Sequence, residues 1–335
     1  MSIKEIEIQN DAERYFWVSY HLIVLLSSFF GDTFILYASF QRDTFKINRF
    51  IVLIMQHIAV CDLLYATTIV LPGTITLTAN FWILGITVCY IPAYAQYIFY
   101  SANNVLTATL AASKYLLLKF PHHKAWSTKN AHIACGVIWV SALITPGLML
   151  DIAPDDIYFN YRVHNCKYSS KNEVWNYLQP ILGFIFIIAP IFVIICTTVP
   201  TLKYLATAVR SARRAGGNVP RQGTWAVALT AVVFCISNIP LVVAEAVNNF
   251  VANDFILFHA HVQRIITFMT MINIMSNFYI YALTIKHFRR FLLSKAKSIV
   301  PSFKGPSKRL QQVYTSKMLA TNTEVTTDHD INVKK

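Results

Sequence analysis

The chain has 335 residues, 55% of them hydrophobic and 13% charged, with a formal net charge of +13 and a mean hydropathy of +0.47. A soluble fold of this size wets its surface with charged side chains, so this composition excludes one and makes lipid the main solvent. Nucleic-acid binding is excluded as the source of the charge, because the Lys and Arg residues are spread over several short segments and no nucleic-acid module is recognisable.

A hydrocarbon core about 30 Å thick takes roughly 20 apolar residues to cross, and backbone in lipid must satisfy its polar groups as helix. Seven runs of that length follow one another at 16–40, 50–72, 87–118, 131–150, 178–204, 224–247 and 262–285. The expected fold is all-α, a seven-transmembrane-helix bundle over 16–285 with an extracellular segment at 1–15. A short amphipathic helix at 286–298 and a polar, disordered cytoplasmic tail at 299–335 complete it. Nothing in 1–14 resembles a cleavable signal, so the first run is expected to direct insertion. No internal repeat is visible, which argues against a transporter of inverted halves.

Basic residues fix the sidedness, since positive loops stay in the cytoplasm. Arg42, Lys46 and Arg49 follow the first run, Lys119, Lys124 and Lys129 the third, Lys203, Arg210, Arg213, Arg214 and Arg221 the fifth, and Lys286, Arg289, Arg290, Lys295 and Lys297 the seventh. The alternate set is poor in basic residues around 79–81, acidic at Asp151, Asp155 and Asp156, and holds Glu245, Asp254 and Arg264 near its last connection. The reading is a multi-pass plasma-membrane protein with its N-terminus outside, its basic loops beside anionic lipid.

Of six cysteines, Cys61, Cys135, Cys196 and Cys235 lie within apolar runs and read as small buried hydrophobes. Cys89, at the outer end of the third run, and Cys166, in the long outer connection, both face an oxidising compartment. A disulfide between them would fold that connection over the bundle mouth; two unpaired thiols are the alternative.

From the first run to about Lys297 the chain resembles the rhodopsin-like (class A) G-protein-coupled receptors. The second run holds IAVCDLL at 58–64, similar to that family's L-A-x-x-D-L with Asp62 as the buried acid. FWILG at 81–85 precedes Cys89 as the family's W-x-x-G precedes its bridging cysteine, and Trp139, Pro146, Pro190, Phe234 and Pro240 match family landmarks. NFYIY at 277–281 resembles N-P-x-x-Y and is followed by the amphipathic HFRRFLL at 287–293. Several positions depart from the pattern: D-R-Y reads Ser113, Lys114, Tyr115, and C-W-x-P reads Ser237, Asn238, Ile239, Pro240. Asp32 after Gly31 replaces an asparagine, Thr198 a tyrosine and Phe278 a proline. Lysine lacks the planar fork of arginine, so Lys114 is expected to couple differently and to leave basal activity raised.

The resemblance implies a cell-surface receptor, not an enzyme, that binds an extracellular ligand and signals through a heterotrimeric G protein by way of Lys114, Tyr115 and Tyr281. It implies a ligand site in the outer half of the bundle at Gln96, Tyr97 and Tyr100, Leu182 and Phe186, Asn238, Leu241 and Glu245, and Arg264, Thr267 and Met271. Glu245 and Arg264 serve either a charged ligand or one another. Gln96 stands where amine receptors carry an aspartate, which disfavours a monoamine. Met271 stands where opsins carry their lysine, which excludes a retinal Schiff base. Asp32 and Asp62, with Asn103, Asn273 and Asn277, form either an ion or proton switch, with sodium as the candidate ion at Asp62, or a water-filled network joining helices. A receptor that binds ligand but signals poorly, as a scavenger or heteromer subunit, and an ion-coupled transporter or channel are the alternative functions.

Overall fold

The computed structural model describes residues 11–41, 44, 45, 47–79, 82–147, 157–160, 165–168, 178, 181–214, 222–250 and 260–299, without the side chains of 145–147, 160, 165, 167, 168, 212, 213, 222–225, 227, 244–250, 260–264, 297 and 299. Seven long helices run through it in chain order. They are α1 (Asp11–Phe40), α2 (Arg49–Ala79), α3 (Gly85–Lys119), α4 (Thr128–Gly147), α5 (Ala189–Arg214), α6 (Gln222–Phe250) and α7 (Ala260–Thr284). The amphipathic α8 (Lys286–Ile299) follows α7 after one residue.

Among the described residues four segments, Asp11–Phe40, Arg49–Ala79, Ile181–Ser211 and Ile265–Thr284, are long and apolar enough to cross a bilayer on composition alone. The third helix carries more polar side chains because of where it lies. Packed neighbours run α1 on α2 and α7, α2 on α4, α5 on α6, and α6 on α7, while α3 touches α2, α4, α5 and α6. An inner helix meets other helices more than lipid, and α3 accordingly buries Ser101, Asn103, Asn104, Thr107, Ser113 and Lys114. The lipid-directed surfaces are apolar, as at Phe30, Phe40, Val137, Phe192 and Leu283.

Proline and glycine placements explain local departures from the expected spans. The second run was expected to stop at Pro72, yet α2 continues to Ala79. A π-helical turn at Ala66–Val70, with Leu71 N–H donating to the Ala66 carbonyl, shifts the bonding register just before Pro72, where the missing donor would otherwise break the ladder. A second π turn, Phe184–Ile188, leads into α5. Pro190 has no N–H to offer the Phe186 carbonyl four residues earlier, and the Asn104 amide of α3 donates to it at 3.1 Å. At the start of α3, Gly85 has φ of +75°, a conformation that favours a residue without Cβ, and its carbonyl accepts from Trp82 Nε1 at 2.8 Å. Asn48 caps α2 by accepting from Phe50 N–H at 2.8 Å.

An antiparallel pair, β1 (Ile157–Asn160) and β2 (Asn165–Tyr168), adds a small sheet to the all-helical expectation. Its register places Phe159 opposite Cys166. Ile157 and Phe159 are buried and Tyr158 is exposed, the alternation of a strand with one covered face.

Candidate functional site

At one end of the bundle Cys89 of α3 is joined to Cys166 of β2, with Cα atoms 5.4 Å apart. Around this link Ala93, Ile157 and Phe159 are buried, and Trp82, Tyr90, Tyr94, Tyr97, Leu178 and Leu182 pack against them. Trp82 stacks on Phe159 with centroids 5.0 Å apart. Tyr97 and Leu182, expected at a ligand site, therefore belong to the packing beneath the hairpin.

Deeper in the bundle a cavity with about 20 Å³ of space for water lies between α2, α3, α6 and α7. Tyr100, Asn103, Asn238 and Asn273, all expected from the sequence, line it. Tyr65, Phe99, Asn104, Thr270 and Ile274 line it too and were not singled out. The Asn103–Asn104 doublet in an apolar run was the available signal for Asn104; Tyr65 and Thr270 gave none, because aromatic and hydroxyl side chains are ordinary in such helices. Tyr100 OH donates to Asn238 Oδ1 at 2.8 Å across α3 and α6, and Asn238 Nδ2 donates back to its own helix at the Phe234 carbonyl.

The acid cluster lies below. Asp62 is fully buried; its Oδ1 accepts from Asn103 Nδ2 and its Oδ2 from Asn277 Nδ2 at 2.8 Å. Asp32, 1% exposed, accepts from Ser28 at 2.6 Å through Oδ2 and lies close enough to Asp62 to interact electrostatically. Asp32 Oδ1, Asn277 Oδ1 and Tyr281 OH are buried with no hydrogen-bond partner. The Asn277 and Tyr281 oxygens beside the Asp32 and Asp62 carboxylates form an oxygen-rich cluster that suits a cation, a proton or water. Ser28, four residues before Asp32 on the same helix face, is the member sequence reading missed. Among the described residues no group of three His, Cys, Asp or Glu side chains is placed for a metal of the zinc type.

A sequence profile described as 7 transmembrane receptor (rhodopsin family) matches residues 33–281. The chain belongs to the rhodopsin family.

Its similar proteins include cysteinyl leukotriene receptor 2 of Homo sapiens, 26% identical over 186 residues that make up 52% of this chain and 51% of that one. The same receptor of Sus scrofa is 26% identical over 181 residues, with 52% and 51% covered, and that of Mus musculus is 24% identical over 145 residues, with 43% and 46% covered. The chain thus spans about half the length of the curated relatives it matches.

In this rhodopsin-family member, Lys114 is buried at 8% exposure near the end of α3 remote from the disulfide. Among the described residues the one ion pair is Arg14 with Asp11 at 3.1 Å, so no described carboxylate neutralises Lys114. Tyr115 is half-buried, Tyr281 is 2% exposed, and Gln96, Leu241 and Thr267 are half-buried. Phe186 is buried with its carbonyl held by Asn104. Met271 packs with Trp17, Tyr20, Val24, Val70 and Leu77, in a cluster between α1, α2 and α7 apart from the cavity lining. The side chains of Glu245, Arg264 and Pro146 lie outside the described residues. Trp139 Nε1 donates to His57 Nδ1 at 3.1 Å, tying α4 to α2.

Proposed function

We propose that the chain is a plasma-membrane receptor, its N-terminus outside, that binds an amphipathic small molecule within the bundle and signals to a heterotrimeric G protein. The observation that carries this reading is the hydrogen-bonded cavity between α2, α3, α6 and α7, placed between the disulfide-tied hairpin and the Asp62 cluster. With about 20 Å³ of space for water, the cavity would take only one end of such a ligand, for which its aromatic walls with amide and hydroxyl groups are suited. The three relatives are named as receptors for cysteinyl leukotrienes, which agrees with an amphipathic ligand and not with a monoamine or retinal. Ligand acts by favouring the arrangement in which α6 admits the cytoplasmic partner.

The test is nucleotide exchange on a panel of G proteins, in membranes holding the unmodified chain or Lys114→Arg, with and without lipid mediators. Exchange above background in either chain supports the reading. Silence in both with every mediator sinks signalling and favours the receptor that binds without signalling, for which Lys114, buried with no carboxylate partner among the described residues, speaks. Solute flux or current through the chain would favour a transporter instead.

The acid cluster serves, in the same proposal, as an ion-linked switch. Asp62, Asp32 and the carbonyl of Asn277 would hold a sodium ion, whose charge offsets two carboxylates that share a low-dielectric site. Exchange assayed in sodium against an organic cation, across pH, is expected to depend on both, and Asp32→Asn is expected to flatten the dependence. Equal curves in all conditions would leave a network that only joins helices.

A further inference from the structure

We infer that the groove between α2 and α4 binds one anionic glycerophospholipid, with its phosphate at Lys129 and His132 and an ester carbonyl accepting from His57. The inference goes beyond the receptor reading and holds whether or not the chain signals. It starts from the tautomer of His57. Trp139 Nε1 can only donate, so the His57 Nδ1 that accepts from it at 3.1 Å carries no proton. The neutral ring then bears its hydrogen on Nε2, and among the described residues nothing accepts from it. The ring is half-buried and Nε2 is not sealed inside the bundle, so this donor opens onto the lipid-directed surface. An unspent N–H in hydrocarbon costs free energy, which an acceptor on the lipid itself recovers.

Such an acceptor has a place to lie. His132, Gly136 and Trp139 recur at i, i+4 and i+7 and so share one face of α4. His132 is exposed and close enough to His57 to interact electrostatically, while Trp139 bonds the same ring. Between them Gly136 is exposed, and a Cβ built there would meet nothing within 4 Å, so the face is notched where a glycerol backbone or acyl chain would pass. Ile133, Val137 and Val140 beside the notch are exposed and apolar.

Charge selects the headgroup. Lys129 is exposed one turn before His132, and the connection at 119–128 adds Lys119, His122, His123 and Lys124, all exposed, with no acidic residue. A phosphate at that level therefore meets only basic side chains, in the leaflet that is cytoplasmic on the sidedness proposed above. Trp139, and with it the His57 ring, lies about two turns deeper along α4 than His132. The ester carbonyls of a glycerophospholipid likewise lie deeper than its phosphate, which matches the order of the two contacts. A sterol has one hydroxyl and no charge, so it would leave either Lys129 or His57 unanswered.

The test is native mass spectrometry of the full chain, released from detergent micelles titrated with dioleoyl phosphatidylglycerol, its ether-linked analogue, dioleoyl phosphatidylcholine or cholesterol. The unmodified chain is expected to hold phosphatidylglycerol on the order of fivefold more tightly than phosphatidylcholine, as one added basic contact implies. The ether analogue keeps the phosphate and lacks the carbonyls, and is expected to bind on the order of fivefold more weakly than the ester, as loss of one hydrogen bond implies. His57→Leu is expected to erase the difference between ester and ether while keeping the preference for the anionic headgroup. Gly136→Leu fills the notch from open space and is expected to bring phosphatidylglycerol down to phosphatidylcholine with the melting temperature unchanged. Equal binding of ester and ether lipids by the unmodified chain overturns the contact at His57, and equal binding of the two headgroups overturns the charge recognition. Full phosphatidylglycerol binding in Gly136→Leu overturns the groove, and displacement by cholesterol would assign the groove to a sterol instead. Lipid selectivity with nucleotide exchange still at background upholds the site and defeats the G-protein reading, so the two failures are distinguishable.

Discussion

At Gly31 a side chain has no room. A Cβ there would stand 2.7 Å from Phe278 Cβ and 2.9 Å from its Cγ, so the absent methyl on α1 is what lets a phenylalanine occupy the position where the family pattern has proline. Phe278 in turn meets Phe34 and Phe288 edge to face. Gly31→Ala should cost about 1–3 kcal/mol by overpacking, read as a lower melting temperature in detergent, and Phe278→Gly, which removes both clashing atoms, should make the two losses less than additive. Two independent losses that simply add would show the pair is not coupled. Lys114 is a second residue-scale departure, a buried ammonium with no described carboxylate beside it. Lys114→Arg, which restores the planar fork, should change basal exchange in either direction by more than a surface substitution does. At this scale the sequence was legible where a residue is costly in lipid. Asp32, Asp62 and Lys114 stand out in apolar runs because burying a charge demands a reason. Ser28, Tyr65 and Thr270 do not stand out, because hydroxyls and phenols are tolerated in transmembrane helices, and only the fold brings them to the acid and the cavity.

Helix ends and interruptions followed a different rule. Apolar length located the seven runs and ended the second at Pro72, while the π turn before that proline carries α2 on to Ala79. A register shift of this kind has no residue signature of its own. The turn at Phe184–Ile188 shows the same economy, with Asn104 supplying the donor that Pro190 lacks. Asn104→Leu should leave the Phe186 carbonyl unpaired and cost about 1–3 kcal/mol. Backbone amide exchange over 184–191 should rise in that variant, with α1 unchanged. Uniform protection in both chains would mean that α5 is held by lipid and packing alone. The hairpin of β1 and β2 was not anticipated, since four residues per strand give too short a run for a period of two to be read.

Across the whole bundle, α3 is the helix that the others share, touching α2, α4, α5 and α6 and carrying the disulfide at one end and Lys114 towards the other. Its polar side chains accordingly go to neighbouring helices and not to lipid. The pattern of motifs, with order and spacing, supplied what hydropathy could not. Replacing Cys166 by serine should release the connection from α3 and lower the melting temperature, with the loss reproduced by a reducing agent in the unmodified chain; no change on reduction would show that packing of Trp82 on Phe159 suffices.

The hairpin has a kinetic consequence. Two strands of four residues have little stability of their own, so what keeps them in place is their attachment to α3 through Cys166 and the packing of Phe159. A ligand held beneath such a cover leaves when the cover frays. On the proposed function the lifetime of the complex would then be set by the opening of the hairpin, and its equilibrium strength by the cavity below, so that substitutions at Trp82 or Phe159 should shorten residence time while leaving nucleotide exchange nearly untouched.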